Sequence, residues 1–204
     1  YSRGFLGSIA GFEDFSPGAI REWMRYNKDV LARTERLRPD FSLDDRLDAR
    51  LLATRIRTEL ETWEKDRPQE NDLGLYAQLI WQGPRRVVDS PLLSPEERAR
   101  ILLERLAAVE RLCTAAVESV RNGRPSDTQA ALDRLDAAAE YYRDELPAKG
   151  PALFEGTAQI TFSDESREVA AKVKKLVTFV EQQVMPNLAL PNEPILGRDD
   201  YARK

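Results

Sequence analysis

Between Ser94 and Asn122 the only helix breaker is Pro95, at the second position, and this stretch limits the fold more than any other part of the chain. Ser94-Pro95-Glu96-Glu97 combines a capping hydroxyl, a proline whose fixed φ suits the first helical position, and a glutamate able to reach back to the cap. The helix opened there is predicted to run for about 28 residues, to Asn122-Gly123, well beyond the mean helix length. Leu102, Leu106, Val109, Cys113, Ala116 and Val120 alternate spacings of four and three along it, the narrow apolar seam of a bundle helix. A rod with one such seam needs other helices to cover it.

Four more segments carry helical punctuation, and strand-like alternation is almost absent. Ser16-Pro17 opens the first helix, with Phe15 stapled on Ile20; Trp23, Tyr26, Val30 and Leu37 form its face, and Pro39 ends it. Ser42 opens the second, with Asp45 as a weak capping box, the stripe Leu52, Ile56, Leu60 and Trp63, and a stop at Pro68. A shorter apolar segment, Leu73 to Trp81, precedes a turn forced by Gly83-Pro84. A fourth long helix is predicted from Asp127 to Leu146, ended by Pro147 and Gly150; Leu132, Leu135, Ala139, Tyr142 and Leu146 form its line. Ser163-Asp164-Glu165 starts the fifth, with the stripe Val169, Val173, Leu176 and Val180 and a stop at Pro186. The expected fold is all-α: an up-and-down bundle of about five main helices, with the Leu73 to Val88 segment laid over one end as a short excursion. Residues 1–186 make the bundle domain, and 187–204 a proline-rich connector with the start of a truncated next element.

Composition narrows the chemistry. At 204 residues and 42% hydrophobic, the chain can bury a core without covalent staples. With 31 basic and 35 acidic residues it offers no broad positive field, so nucleic acid is not an expected partner. No apolar run reaches the ~20 residues needed to span a bilayer. Phe5 to Phe12 is too short for a span or a normal signal sequence, and Cys113, with no second cysteine to pair with, leaves the cytoplasm and export both open. There is no histidine and one cysteine, which removes the usual general base and nearly all soft metal ligands.

The residues that remain were weighed against structural roles. Asp44, Asp45 and Asp48 could make a carboxylate-only metal site but read as a solvated first turn. Cys113 lies on an apolar stripe and reads as packing. Gly4, Gly7 and Gly11 have the wrong spacing for a dinucleotide fingerprint. Arg33, Arg36 and Arg38, and Lys172, Lys174 and Lys175, read as solvated faces. Arg85 and Arg86, presented by the Gly83-Pro84 turn, are candidates for contact with a partner or ligand, and Tyr76, Trp81 and Tyr201 join them. Trp23, Trp63, Trp81, Tyr76, Tyr141 and Tyr142 either line a cavity between helices or form core. No catalytic, cofactor-binding or metal-ligating residue is assigned.

Taken in order, Leu52 to Leu60 with Trp63, Asn71-Asp72-Leu73-Gly74-Leu75-Tyr76, Ser94-Pro95-Glu96-Glu97-Arg98, Arg105-Leu106, Tyr142 to Leu146-Pro147, Val184-Met185-Pro186 and Ile195-Leu196-Gly197-x-x-x-Tyr201 resemble the bacterial domain-of-unknown-function family 885. Gly74 stands where that family often shows proline. The resemblance implies zinc-dependent peptidases of the gluzincin type, with zinc and its His-Glu-x-x-His helix beyond Lys204 and no cofactor in this chain. It implies a non-catalytic helical domain that walls a substrate cleft. Its partners would be the missing peptidase-like domain of the same polypeptide and a peptide substrate. A last helix that only begins, Pro194 to Lys204, fits that expectation. The alternatives are a free-standing helical binding module with an aromatic-lined cavity, and an enzyme complete within the chain that uses carboxylates, lysines or tyrosines alone.

Overall fold

A computed structural model describes residues 14–36 and 42–188, all of them in helices, turns and connectors with no strand. The expectations for Phe5 to Phe12, Leu37, Arg38 and Pro39, and for the connector from 189 to Tyr201 and Lys204, lie outside the described residues. An all-α fold is what the chain adopts.

Three of the four helix starts signalled by a serine lie where the local chemistry puts them. α1 (Pro17–Glu35) opens on Ser16, whose Oγ accepts from the Ala19 N–H at 3.3 Å. α2 (Leu43–Glu61) opens on Ser42, whose Oγ accepts from the Asp45 N–H at 3.1 Å while its hydroxyl donates to Asp45 Oδ2 at 2.6 Å. After the four-residue α3 (Pro68–Asn71) and α4 (Leu73–Val88), α5 (Pro95–Ser119) opens on a complete capping box. There the Glu97 N–H donates to Ser94 Oγ at 3.2 Å, and the Ser94 N–H donates to Glu97 Oε2 at 2.9 Å. Ser94→Ala removes one of these bonds and is expected to cost about 0.5–2 kcal/mol. A lower urea midpoint at unchanged slope would register it.

The remaining helices are α6 (Pro125–Glu140), the single turn α7 (Leu146–Ala148) and α8 (Gly156–Phe179). α8 begins seven residues before Ser163, the start read from the sequence. Ser163 is not a cap; its hydroxyl donates to the Gln159 carbonyl at 2.9 Å inside the helix. The larger correction is α4. Gly83-Pro84 makes no turn: both residues are buried inside a continuous 16-residue helix, so the expected excursion is a full member of the bundle.

α4 and α8 each pack against both α5 and α6, and these four helices enclose the core. The predicted α5 seam lies inside it, with Leu102, Val109, Ala116 and Val120 fully buried. α1 and α2 pack chiefly on each other and form an arm. Its base joins the core through Phe15, Ile20 and Trp63, with Phe15 and Trp63 stacked at 6.0 Å between ring centroids. Two exposed ion pairs cross the arm, Lys28–Glu64 and Arg57–Glu35, each at 2.5 Å. Pairs this exposed contribute about 0–1 kcal/mol. Two members of the predicted stripes point outward: Tyr26 is 66% and Leu52 48% exposed, and the inner face of α2 is Ala53, Ile56 and Leu60 instead. Both sit midway along the arm, on sides of α1 and α2 that the other helix does not cover.

Candidate functional site

Proline within a helix removes the donor to the carbonyl four residues before it. Pro84 therefore leaves the Ile80 carbonyl without its ladder bond in the buried centre of the bundle. The Tyr142 hydroxyl fills the gap, donating to Ile80 O at 2.5 Å from 62 residues away. Tyr142 can reach because residues Tyr141–Glu145, which follow α6, form a π turn, closed by the Leu146 N–H on the Tyr141 carbonyl. In that i to i−5 register the Tyr142 carbonyl faces position 147, which is Pro147 and has no N–H. The Ser166 hydroxyl of α8 supplies the missing donor at 2.6 Å. Two prolines thus leave two buried carbonyls, and two hydroxyls from other helices complete them. The π turn also lets consecutive tyrosines, Tyr141 and Tyr142, both be buried, with their rings edge to face at 5.7 Å.

This arrangement fixes the end of α4 that carries Trp81 and Arg85, one helical turn apart on the same flank. The Arg85 guanidinium lies in a notch between two rings, 3.7 Å from the Trp81 centroid and 4.2 Å from that of Tyr141. The rings meet edge to face, at 6.3 Å and 63°. Glu145 Oε2 is 3.7 Å from the guanidinium, too far for a hydrogen bond. Lys149 Nζ stands 5.8 Å over the Tyr141 ring and 3.5 Å from Asp89 Oδ1. Two buried polar atoms here have no hydrogen-bond partner, Arg85 Nε and Tyr141 Oη. Burial pushes the Tyr141 phenol up to about 12, partly offset by the Arg85 charge. It also holds the Tyr142 phenol well above its ordinary value, so Tyr142 remains a donor.

The other predicted contact residues go elsewhere. Tyr76 is on the opposite side of α4, fully buried, donating to the Gln69 carbonyl at 3.2 Å and pushed up to about 12 by burial. Its ring meets Phe15, so the six aromatic residues weighed as a cavity lining divide into two sets, one at the arm base and one around Arg85. Arg86 points away from the notch, bonded to Gln82 Oε1 at 2.7 Å and within electrostatic reach of Arg105. Tyr201 lies outside the described residues.

Sites weighed for metal or nucleophilic chemistry look structural. Asp44, Asp45 and Asp48 occupy an exposed first turn, and among the described residues no three His, Cys, Asp or Glu side chains are grouped to hold a metal ion. The Cys113 thiol is buried, pushed up to about 12 mainly by desolvation. These residues do not fit a zinc site. Arg33 pairs with Asp29 and Lys174 with Asp136, both at 2.6 Å, as solvated faces do. No described helix is long and apolar enough to cross a membrane. An open groove of about 570 Å³ between α7 and α8 includes Arg143, Asp144 and Arg167, but its arginines are already paired, Arg143 with Asp144 at 2.7 Å and Arg167 with Asp164 at 3.2 Å.

A second surface was not singled out in the sequence. Leu43, Leu47 and Leu51, at i, i+4 and i+8 on α2, are 64, 48 and 69% exposed. At 100° per residue they lie on the side of α2 away from Ala53, Ile56 and Leu60. Arg46 and Arg50 run along one edge of this row, and Asp44 and Asp48 along the other, with Arg55 and Glu59 paired at 2.9 Å beyond them. Tyr141 was the member of the notch that sequence reasoning placed least well. The Trp81–Arg85 spacing would have signalled half of it only had the helix been carried through Gly83-Pro84, and the π turn that delivers Tyr141 left no signal.

A family model described as "Bacterial protein of unknown function (DUF885)" matches residues 2–204. No curated protein matches the chain. A solved structure of a candidate lipoprotein of unknown function from Shewanella oneidensis is similar in fold, with a TM-score of 0.74 at 13% identity. The match covers 87% of this chain and 33% of that one, so the chain spans about a third of the length of this structural relative.

Proposed function

From its membership of DUF885, the family of bacterial proteins to which this chain belongs, we propose that these residues are a non-catalytic helical part of a larger protein, serving as a scaffold and as one wall of a substrate cleft. The supporting observation is the leucine row on α2. Leu43, Leu47 and Leu51 lie opposite the inner face of α2, from the free end of the arm to its middle, and among the described residues the arm joins the core at its base through Phe15, Ile20 and Trp63. Covering an exposed leucine contributes about 1.5–3 kcal/mol, so the row is suited to an apolar surface of further polypeptide. Its basic and acidic edges would set the register of that contact.

On this reading the chemistry belongs to sequence outside the chain. A peptidase-like domain of the same polypeptide would carry the zinc that the family resemblance implies, and a peptide substrate would pass between it and the helical part. The residues described here would position and enclose, without bonding to the metal.

Two measurements on a longer family protein and on this chain test the reading. Peptide hydrolysis abolished by a chelator is expected in the longer protein and absent from the chain; hydrolysis by the chain itself would reject the division of labour. Amide exchange over residues 43–52 is expected to be slow in the longer protein and fast in the chain. Equal exchange in both would remove the docking role of the leucine row.

A further inference from the structure

We propose that Arg85 is a binding site for a carboxylate, with Glu145 now standing in for the ligand as a displaceable internal carboxylate. This inference is independent of the scaffold reading. A guanidinium has five N–H donors in a planar fork, and those of a partly buried arginine are normally satisfied. Among the described residues the Arg85 guanidinium has no hydrogen-bond acceptor: its Nε is buried and without a partner, and the carboxylate oxygen paired with it, on Glu145, is 3.7 Å away. Charge-assisted bonds of this kind ordinarily close to about 2.7–2.9 Å. The guanidinium is nevertheless held in place, because stacking against Trp81 and Tyr141 fixes its plane while leaving the side chain 32% exposed. It is a pre-oriented fork in want of an acceptor.

The surrounding charge selects the ligand. Arg85 and Lys149 are matched by Glu145 and Asp89, so the cluster has no surplus positive charge for a dianion. A monoanion that displaces Glu145, itself 64% exposed, leaves the local charge unchanged. Planar carboxylate oxygens also match the guanidinium fork in a bidentate geometry. The ligand class is therefore a monocarboxylate, either a small acid or the carboxylate of a polypeptide.

The probe is sodium acetate, with the Arg85 Nε–H signal of the chain followed by ¹⁵N NMR and assigned through bonds, so that no variant is needed for assignment. A saturable shift with acetate, absent with sodium chloride at equal ionic strength, is expected. Glu145→Gln removes the competing carboxylate and is expected to tighten acetate binding by about two- to fivefold, the equivalent of an exposed ion pair. A short peptide with a free C-terminus that binds more tightly than acetate would identify a polypeptide source, and equal binding a small acid; either supports the site. The proposal is overturned if acetate and chloride act alike, if Glu145→Gln leaves affinity unchanged or weaker, or if inorganic phosphate binds more tightly than acetate.

Discussion

Replacing Tyr142 with phenylalanine is expected to destabilise the chain by about 1–3 kcal/mol, the cost of a buried carbonyl left without a donor. The ring is fully buried and only its hydroxyl changes, so packing is nearly conserved. What is lost is the 2.5 Å bond to the Ile80 carbonyl, the group that Pro84 deprives of its helical partner. A second substitution makes the cause visible. Pro84→Ala restores an N–H at position 84 and should recover part of the loss in the Tyr142→Phe background, while bringing less benefit when the hydroxyl is present. Equilibrium denaturation of the four proteins should give a coupling of about 0.5–3 kcal/mol. Additivity within the error of the cycle would mean that Tyr142 and Pro84 act independently, and the account of how α4 passes through Gly83-Pro84 would fail.

Leu102→Ala should cost about 2–5 kcal/mol, because it empties a fully buried position on α5 that the surrounding helices can refill only partly. Leu51→Ala should change stability by no more than about 0.5 kcal/mol, since its side chain is 69% exposed midway along α2. Both are leucines on amphipathic helices, and only their neighbours differ. Urea unfolding of the two variants measures the contrast directly. A large loss from Leu51→Ala in the isolated chain would mean that the leucine row is already covered, which would leave nothing for a docking partner.

The legible part of the molecule is the part whose energetics close over a few residues. Ser16-Pro17 and Ser94-Pro95-Glu96-Glu97 marked two helix starts because a cap satisfies N–H groups three residues away and needs no other element. The α5 seam was legible because its period alone implies a buried face. Ser163 misled because the same residue type that caps a helix can also return its hydroxyl to a carbonyl within one. The α2 stripe misled at one member: Leu52 falls in line with the buried Ile56, Leu60 and Trp63 yet is 48% exposed, because which side of a helix is covered depends on where its neighbours stop. At the candidate site, Trp81 and Arg85 were each named from the sequence but were set apart there by the expected Gly83-Pro84 turn; the unbroken α4 puts them on one flank, and Tyr141 comes from a π turn more than 50 residues on.

Gly83-Pro84 marks the boundary between the two kinds of knowledge. By local rules it ends a helix, since proline withdraws a donor and glycine weakens the turn before it. The chain continues as a helix because the orphaned carbonyl meets a hydroxyl from a distant segment, and the tyrosine that supplies it has its own carbonyl completed by Ser166. Sequence by itself determined that the protein is built of helices, where the capped ones begin and which seam of α5 is buried, because those outcomes depend on contacts within a turn or two. Tertiary structure alone decided that α4 stays whole and that Arg85 faces an aromatic notch, because satisfying a buried polar group there depends on donors brought from other helices.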